Sequence, residues 1–194
     1  MTQYDVVGDI MIVKDLEQDK VVGCYRLICS TQTDLFYSSQ FFDCSAFFAL
    51  PGIKVEMSRA CINPEYRNGS TLRLLWSGIH EYALKAKASY VFGSSGVWTN
   101  RPEEVELLKK HLHEKDAVYN RSAIKPIITG QEPLPKPGKP FETNHKKFMP
   151  GIMRVYLTVG ARVCPDAAYD PAFDCYLMFT ALHLQEEILD HMRK

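Results

Sequence analysis

Apolar and polar positions near the N-terminus follow a pattern that predicts two paired strands. Apolar, β-branched runs cover Asp9 to Lys14 and Val21 to Cys29, and a short polar-rich stretch separates them. This arrangement is typical of an antiparallel hairpin. Arg26 lies inside the second run. It is either a partly exposed residue on an edge or an inward-facing guanidinium opposite a carboxylate or a substrate.

The stretch from Lys54 to Tyr82 predicts a strand, a turn and a helix in direct succession. The strand ends at Asn63-Pro64, because proline interrupts regular structure. Ser70 or Thr71 is placed to cap the helix that follows. One buried helical face is predicted from apolar residues three and four positions apart: Leu72, Leu75, Trp76, Ile79 and Ala83. A glycine-containing turn before a helix N-terminus can hold an anion, so the turn from Arg67 to Thr71 is a candidate anion site.

The remaining pattern mixes strands and helices without regular alternation. Thr31 to Leu50 is aromatic and irregular, and its phenylalanines either pack a core or line an apolar channel. Val118 to Phe148 is rich in proline and predicts a long connection, either a substrate lid or a disordered insertion. The other predicted elements are a strand Ala88 to Val97, a helix Pro102 to Glu114, a helix Pro150 to Val159, a strand Ala161 to Cys164, a polar turn Asp166 to Asp174, a strand Tyr176 to Leu182 and a tail helix Gln185 to Lys194.

These elements predict one α/β (α+β) domain over residues 1–194, with a mixed central sheet and helices on both faces. The chain has 23 basic and 23 acidic residues, so no excess charge draws it as a whole to nucleic acid or to a membrane.

No apolar run approaches the roughly 20 residues of a membrane helix, and MTQYDVVGDI has no signal-peptide pattern, which favours a cytoplasmic protein. No metal site is predicted, because the six cysteines form no C-x-x-C pair and no cluster with histidine. Most of the cysteines lie in apolar runs and are interpreted as small core residues in a reducing cytoplasm.

Three motifs carry a family resemblance. They are E-M-S-R-A-C-I-N-P-E-Y-R followed by L-L-W-S-G-I, then V-F-G-S-S, and finally P-G-I-M-R-V-Y-L-T-V-G-A-R-V-C-P-D-A-A-Y-D-P-A-F-D. In this order they resemble the ornithine-lipid N-acyltransferases and hemolysin-like acyltransferases, which are similar to the acyl-homoserine lactone synthases within the GNAT superfamily. The resemblance covers most of the chain from Asp9 to Leu182.

The resemblance implies a GNAT fold in which two parallel strands, here Lys54 to Asn63 and Ser89 to Val97, splay apart to admit a pantetheine arm. Glu56 takes the place of the family's candidate general base, and Arg59 that of the arginine in its E-x-x-R pattern. Arg26 matches the arginine of a T-Y-R-L motif. The acyl carrier is assigned to Ala60, Cys61, Ile62, Arg67, Asn68, Gly69, Ser70 and Thr71, and substrate contacts to Arg26, Asp43, Ser94 and Ser95.

The implied chemistry is acyl transfer from a thioester to an amine, with acyl-carrier protein (through its 4'-phosphopantetheine) or acyl-CoA as cosubstrate and no permanently bound cofactor. A carboxylate such as Glu56 can accept the amine proton. Backbone N–H groups where the strand bulges near Ala60 to Ile62 can stabilise the oxyanion. Without a bulge, Glu56 and Arg59 would point to opposite faces of a strand, and a structural ion pair is the competing interpretation.

The partners implied are an acyl-carrier protein, a small amine acceptor, peripheral membrane contact through a lipid product, and a second copy or subunit. Relatives carry an R-Y-x-V-F-type segment before the first strand, which shapes the acceptor pocket, and this chain begins after it. The chain is therefore expected to be a shortened variant, a fragment, or a protein whose acceptor pocket is completed by another subunit. Two alternatives stay open: a synthase of the acyl-homoserine lactone type that uses S-adenosylmethionine, and a non-catalytic GNAT-like module that binds acyl carriers or a partner chain.

Overall fold

The computed structural model describes residues 2–127 and 141–184 of the chain. In chain order its elements are α1 (Gln3–Val7), β1 (Asp9–Asp15), β2 (Lys20–Cys29), β3 (Phe42–Asp43), α2 (Ser45–Phe48), β4 (Ile53–Ile62), α3 (Ser70–Lys85), β5 (Ala88–Val97), α4 (Pro102–Glu114), β6 (Lys125–Pro126), α5 (Gly151–Thr158), β7 (Arg162–Asp170) and β8 (Cys175–His183). Single 3₁₀ turns lie at Tyr37–Gln40, Pro64–Tyr66 and His145–Lys147. Most of the predicted elements in these residues are confirmed to within two residues at each end.

The described residues divide into two compact units. Unit 1 comprises residues 2–37, 51–92 and 183–184, and unit 2 comprises residues 38–50, 93–127 and 141–182. The single-domain organisation stays a prediction. The tail helix and most of the proline-rich part of the long connection were predicted for residues that lie outside the described ones.

Unit 1 is built on strands that are hydrogen-bonded in the order β1-β2-β4-β5. The pairs β1–β2 and β2–β4 are antiparallel, whereas β4 and β5 are parallel. The prediction of a mixed α/β fold with a mixed sheet is therefore confirmed. The β4–β5 register runs from Ile53 opposite Ala88 to Glu56 opposite Phe92, and both strands continue beyond it, to Ile62 and Val97.

Helix α3 packs against β1 and β2 and covers one face of this part of the sheet. The approach is close at Gly23 on β2, where an added Cβ would lie 2.7 Å from Thr71 Cγ2. The buried side of α3 consists of Thr71, Leu75, Ile79, His80 and Ala83. The periodicity predicted three of these residues, and Leu72 and Trp76 are only half-buried.

The start of α3 differs from its prediction. Neither Ser70 nor Thr71 caps the helix, because the N-cap is Gly69, which has φ +92°. The side chain of Asn68 accepts hydrogen bonds from Ser70 N–H at 3.1 Å and from Ser70 Oγ at 2.6 Å. The Asn68 side chain, which lies outside the helix, therefore accepts hydrogen bonds from the first helical residue. Gly69 supplies the left-handed conformation that other residues adopt only with strain.

Unit 2 contains the end of β5 followed by β8 and β7, hydrogen-bonded in the order β5-β8-β7. Its core packs residues of α4, α5, the strands and the connections that follow α4 and precede α5: Val97, Leu108, Leu112, Ala117, Phe148, Met149, Met153, Val163 and Met178. The predicted strand Ala161 to Cys164 is too short, because β7 continues to Asp170. Of the predicted turn Asp166 to Asp174, residues 171–174 are confirmed as a turn. The β7–β8 register shifts between Val163 and Ala167, so the strand passes Pro165 through a bulge instead of ending there.

The prediction that most cysteines are core residues is confirmed. Cys29, Cys44, Cys164 and Cys175 are buried, whereas Cys24 is half-buried and Cys61 is exposed. Cys61 lies near the end of β4, beyond a bulge. Within residues 2–127 and 141–184, no helix has the length and apolar character needed to cross a membrane.

Candidate functional site

The polar residues of β2 and β4 lie on the sheet face opposite α3. Arg26 on β2 is directly opposite Ser58 on β4, and Cys24 is opposite Cys61, so each pair projects to the same side. Glu56 precedes Ser58 by two positions and therefore shares that side. We call the side formed by Cys24, Arg26, Glu56, Ser58 and Cys61 the site face.

A β-bulge in β4 lies within the site face. The β2–β4 register places Arg26 opposite Ser58 and Cys24 opposite Cys61, so two residues of β4, Arg59 and Ala60, face the single residue Tyr25. Arg59 has φ +53°, a left-handed conformation that costs a non-glycine residue roughly 1–2 kcal/mol. The bulge removes the objection that Glu56 and Arg59 must point to opposite faces.

Glu56 is fully buried, with 0% of its surface exposed. The backbone N–H of Tyr37 donates to its Oε2 atom at 2.7 Å. Glu56 is also the last β4 residue in the register with β5, where it lies opposite Phe92. The carboxylate is thus held away from water at the point where the paired part of the two parallel strands ends.

Arg26 is among the largest fully buried side chains of the described residues, with 1% exposed. Its Nε donates to Ser58 Oγ at 3.0 Å, and its Nη1 donates to Asp5 Oδ1 at 2.6 Å and to Thr2 Oγ1 at 3.3 Å. Its Nη2 has no hydrogen-bond partner among the described residues. Of the two interpretations of Arg26, the inward guanidinium facing a carboxylate is confirmed, and that carboxylate belongs to α1.

Two aromatic rings enclose the same guanidinium. The Arg26 Cζ atom lies 5.3 Å from the ring centre of Tyr4 and 5.6 Å from that of Tyr37. Such distances allow cation–π attraction, which is stronger when the cation is desolvated. Because Tyr37 also donates its N–H to Glu56, the residue connects the buried side chains of Arg26 and Glu56.

Asp5 is a site residue that the sequence analysis missed. Its Oδ2 accepts from Thr2 N–H at 2.7 Å, and its Oδ1 lies 3.7 Å from Arg59 Nε. The Thr2 N–H, together with the guanidinium of Arg26, holds the pKa of the Asp5 carboxyl well below its usual range. The spacing T-x-x-D, in which an acidic side chain three positions on accepts from the backbone N–H of the N-cap residue, is the signal that could have found it.

The predicted oxyanion donors Ala60, Cys61 and Ile62 differ in orientation. Asn63 N–H donates to Val22 O at 2.8 Å, so Cys24 and Cys61, two positions away, form the next hydrogen-bonded pair. Ile62 falls between them, and its N–H and C=O therefore point away from β2. Arg67 Nε donates to that outward Ile62 carbonyl at 3.1 Å.

The predicted phosphate turn is exposed from Arg67 to Ser70, whereas Thr71 is buried against β2. No described atom lies within 4 Å of the position that a Cβ at Gly69 would occupy. The turn is therefore open beside Gly69, at the N-terminus of α3, a helix of 16 residues, and the Ser70 N–H there is bonded to Asn68 Oδ1.

The other three predicted substrate contacts belong to unit 2. Asp43 lies on β3 and accepts from Ser45 N–H at 3.0 Å. Ser94 Oγ donates to Ser38 Oγ at 3.0 Å, and the Ser95 and Thr180 hydroxyls are 2.9 Å apart. The structure therefore brings Glu56, Arg26 and Arg59 together on the site face of unit 1, and it joins Asp43, Ser94 and Ser95 to partners inside unit 2.

Part of the chain matches a protein-family model. Residues 1–77 match the model described as an acetyltransferase (GNAT) domain, and this range includes α1, the site face and the first turns of α3. The predicted resemblance to GNAT acyltransferases is therefore confirmed.

Curated relatives carry one shared name. The chain is 30% identical to the L-ornithine N(alpha)-acyltransferase of Rhizobium meliloti over 186 residues, covering 88% of this chain and 62% of the relative. It is 25% identical to the protein of the same name from Brucella abortus, covering 94% of this chain and 69% of that one. The chain thus spans less than two thirds of the length of the Rhizobium relative.

Solved structures agree on the fold. TofI in an apo form matches 100% of this chain and 77% of its own, with a TM-score of 0.54 and 11% identity. The CoA-dependent acyl-homoserine lactone synthase BjaI, solved with SAM and isopentyl-CoA, matches 100% of this chain and 66% of its own, with a TM-score of 0.50 and 13% identity.

Proposed function

We propose that this chain is an N-acyltransferase that moves a fatty acyl group from a thioester, carried by acyl-carrier protein or CoA, to the amine of an amino acid or a lipid precursor. The observation that carries the proposal is the buried carboxylate of Glu56 at the end of the β4–β5 register. The relatives' name, L-ornithine N(alpha)-acyltransferase, supports ornithine as the first acceptor to test.

Glu56 is the general base in this proposal. An amine with a pKa above neutrality must lose a proton before or as its nitrogen attacks the thioester carbonyl carbon. The Glu56 carboxylate accepts that proton, directly or through one water. The Tyr37 N–H on Oε2 fixes the orientation of the carboxylate, and burial keeps competing water away from it.

The tetrahedral intermediate needs a donor for its oxyanion, and the outward N–H of Ile62 is our candidate. It lies on the edge of β4 that faces away from β2, and the bulge at Arg59–Ala60 precedes it. When the intermediate collapses, the C–S bond breaks, the amide forms and the carrier leaves as a thiolate that takes up a proton. Loss of one such donor typically lowers the rate roughly a hundredfold or more.

The carrier phosphate is assigned to the exposed turn from Arg67 to Ser70. The positive end of the α3 helix dipole attracts an anion there. Arg67 adds a guanidinium beside the turn, and its Nε contact with Ile62 O keeps the side chain against β4. The pantetheine arm would then extend along β4 from the turn toward Glu56.

The two arginines of the site face take different roles. Arg59 has 58% of its side chain exposed, so its guanidinium is accessible to an acceptor carboxylate. Arg26 is buried and already paired with Asp5, so it orients the surroundings of Glu56 through Tyr37. Asp43, Ser94 and Ser95 stay predicted acceptor contacts, and membrane contact or a second subunit stays a proposed feature of the complete enzyme.

Replacement of Glu56 by glutamine tests the base. Glu56→Gln keeps an oxygen acceptor for Tyr37 N–H but cannot take a proton, so acyl transfer should fall by roughly a hundredfold to ten-thousandfold. The matched control is Glu17→Gln at an exposed position, which should retain full activity. Initial rates are measured by mass spectrometry of the acylated amine, and circular dichroism checks the fold. Full activity of a folded Glu56→Gln protein would remove Glu56 from this role.

A panel of donors and acceptors tests the activity itself. The wild-type protein is incubated with acyl-carrier protein or acyl-CoA thioesters and with ornithine, other amino acids or S-adenosylmethionine. Acylated ornithine supports the proposal, and an acylated lactone supports the acyl-homoserine lactone alternative. Carrier binding in a pulldown without product from any amine would support the non-catalytic module instead.

A further inference from the structure

Cys24 and Cys61 face each other across β2 and β4, on the site face. The two residues are directly opposite in the register and belong to a hydrogen-bonded pair, for which the Cα atoms are typically about 5.5 Å apart. Disulfides form between Cα atoms roughly 4.4–6.8 Å apart, which this spacing meets. Their Cβ atoms lie roughly 3.5–4.5 Å apart, against roughly 4.5–5.5 Å for directly opposed residues, so closure requires the two strands to approach each other slightly. Both cysteines are free thiols in the structure.

We propose that Cys24 and Cys61 are an oxidation-sensitive thiol pair that closes reversibly into a cross-strand disulfide. This proposal is independent of the acyl-transfer activity. It uses residues that the proposed reaction does not need as nucleophiles, and it defines a covalent modification site on β4.

Disulfide formation takes two steps, attack of one thiolate on the oxidant and attack of the second thiolate on the resulting adduct, and exposure determines which cysteine reacts first. Cys61 is exposed, so its thiolate meets an external oxidant first, whereas Cys24 is half-buried. Burial raises the pKa of the Cys24 thiol, and negative charge on Cys61 adds to this effect, whereas the Arg59 guanidinium opposes it. Cys24 is thus suited to the second, intramolecular attack, for which its neighbour is already in place.

The reaction balances with a small disulfide such as oxidised glutathione. The Cys61 thiolate attacks one sulfur of the oxidant, which forms a mixed disulfide and releases one glutathione thiolate. The Cys24 thiolate then attacks the Cys61 sulfur and releases the second glutathione thiolate. The two protons lost by the protein thiols are taken up by the two glutathione molecules, and a dithiol reductant reverses both steps.

The neighbouring bulge allows the backbone to adjust. Cys24 Sγ lies 4.0 Å from Arg59 O, so the sulfur points along β4 toward the bulge rather than away from it. A bulged strand bends and twists locally more than a regular one, and this permits the small change that brings two opposed sulfurs into bonding geometry.

Trypsin provides a direct test, because its cleavage sites isolate the two cysteines. Cleavage after Lys20, Arg26, Arg59 and Arg67 gives VVGCYR (Val21–Arg26) and ACINPEYR (Ala60–Arg67), each with one cysteine. The reduced full-length chain is treated with oxidised glutathione, quenched with N-ethylmaleimide, digested and analysed by mass spectrometry. We expect the two peptides to be joined, with two alkylatable thiols lost, and we expect dithiothreitol to restore both.

Single variants distinguish the pair from general cysteine oxidation. Cys24→Ser should leave a stable glutathione adduct on Cys61, Cys61→Ser should abolish the joined peptide, and the control Cys175→Ala at a buried position should leave it unchanged. Circular dichroism and melting temperature check the fold of each variant. The proposal is overturned if wild type retains a stable Cys61 adduct, if no joined peptide forms, or if urea-unfolded chain yields as much of it as native chain.

Discussion

The guanidinium of Arg26 is a fully buried positive charge that is stabilised by a carboxylate and by two aromatic rings. Asp5 supplies the negative charge, and the rings of Tyr4 and Tyr37 supply weaker attraction. A buried charge that loses its partner is strongly destabilising, because the remaining ion has neither water nor a counter-charge. The position of α1 against β2 therefore depends on the ionisation of Asp5.

Replacement of Asp5 should change how stability depends on pH. The pKa of Asp5 is lowered in the folded chain, so its carboxylate contributes stability fully above the unfolded value of about 4, and this contribution is lost as pH falls toward the lower folded value. In Asp5→Asn that contribution is absent at every pH. In urea unfolding at neutral pH, we expect the free energy of unfolding to be higher for wild type than for Asp5→Asn. We expect this difference to decrease in acid.

Asp34→Asn, at an exposed position in the same unit, is the matched control for this measurement and should show no comparable difference. A difference between wild type and Asp5→Asn that stays constant down to strongly acidic pH would contradict the assigned role of the Asp5 carboxylate.

At the scale of elements, α3 approaches β1 and β2 closely because two glycines remove side chains from the contact. A Cβ at Gly23 would lie 2.7 Å from Thr71 Cγ2 and 3.2 Å from Leu75 Cδ1. A Cβ at Gly78 on the helix would lie 2.7 Å from Met11 Sδ. The methionine chain can rotate away, whereas the β-branched threonine is stiff.

Alanine substitutions at the two glycines should therefore differ. Gly23→Ala is expected to lower the free energy of unfolding by about 1–3 kcal/mol, because the added methyl overpacks a rigid contact. Gly78→Ala should be near neutral or slightly stabilising, since alanine favours a helix interior over glycine by about 0.5–1 kcal/mol. Urea unfolding of both variants checks this, and equal destabilisation would contradict the rigid contact at Thr71.

The same elements show how far the sequence could predict the structure. Periodicity located β1, β2, β4, β5 and α3, because each has a long apolar pattern. It failed at β7, because Pro165 and Asp166 look like a turn but lie in a bulge that β8 stabilises. It also failed at the α3 cap, where Gly69 rather than Ser70 or Thr71 is the N-cap, because a left-handed backbone conformation there decides where the helix begins.

At the scale of the whole chain, the candidate site depends on contacts between residues far apart in sequence. The pair Asp5–Arg26 spans 21 positions and the contact Tyr37–Glu56 spans 19. The local sequence pattern identified Glu56, Arg59 and Arg26 as candidate site residues only when it was combined with a family resemblance. The sequence contains no local signal for the partner of a buried charge, because pairing is decided by register across strands.

The balance of charge over the whole chain leads to a further prediction. Formal net charge is zero at pH 7 with histidines neutral, and the six histidines add positive charge in mild acid. Repulsion between molecules is then weakest near pH 7, so light scattering at low salt should be greatest there and should decrease on both sides. Scattering that changes in one direction across this range would contradict the prediction.

The bulge in β4 also determines where this strand can tolerate a change of length. Deletion of Ala60 would leave Ser58 opposite Arg26 and Cys61 opposite Cys24, because only the extra residue is removed. Arg59 would then lie directly opposite Tyr25 and face α3 instead of Asp5. A strand shortened at this one position would stay in register with its neighbours, but Arg59 would leave the site face. Insertion or deletion of a residue here therefore changes the side of the sheet to which Arg59 projects and leaves the fold unchanged.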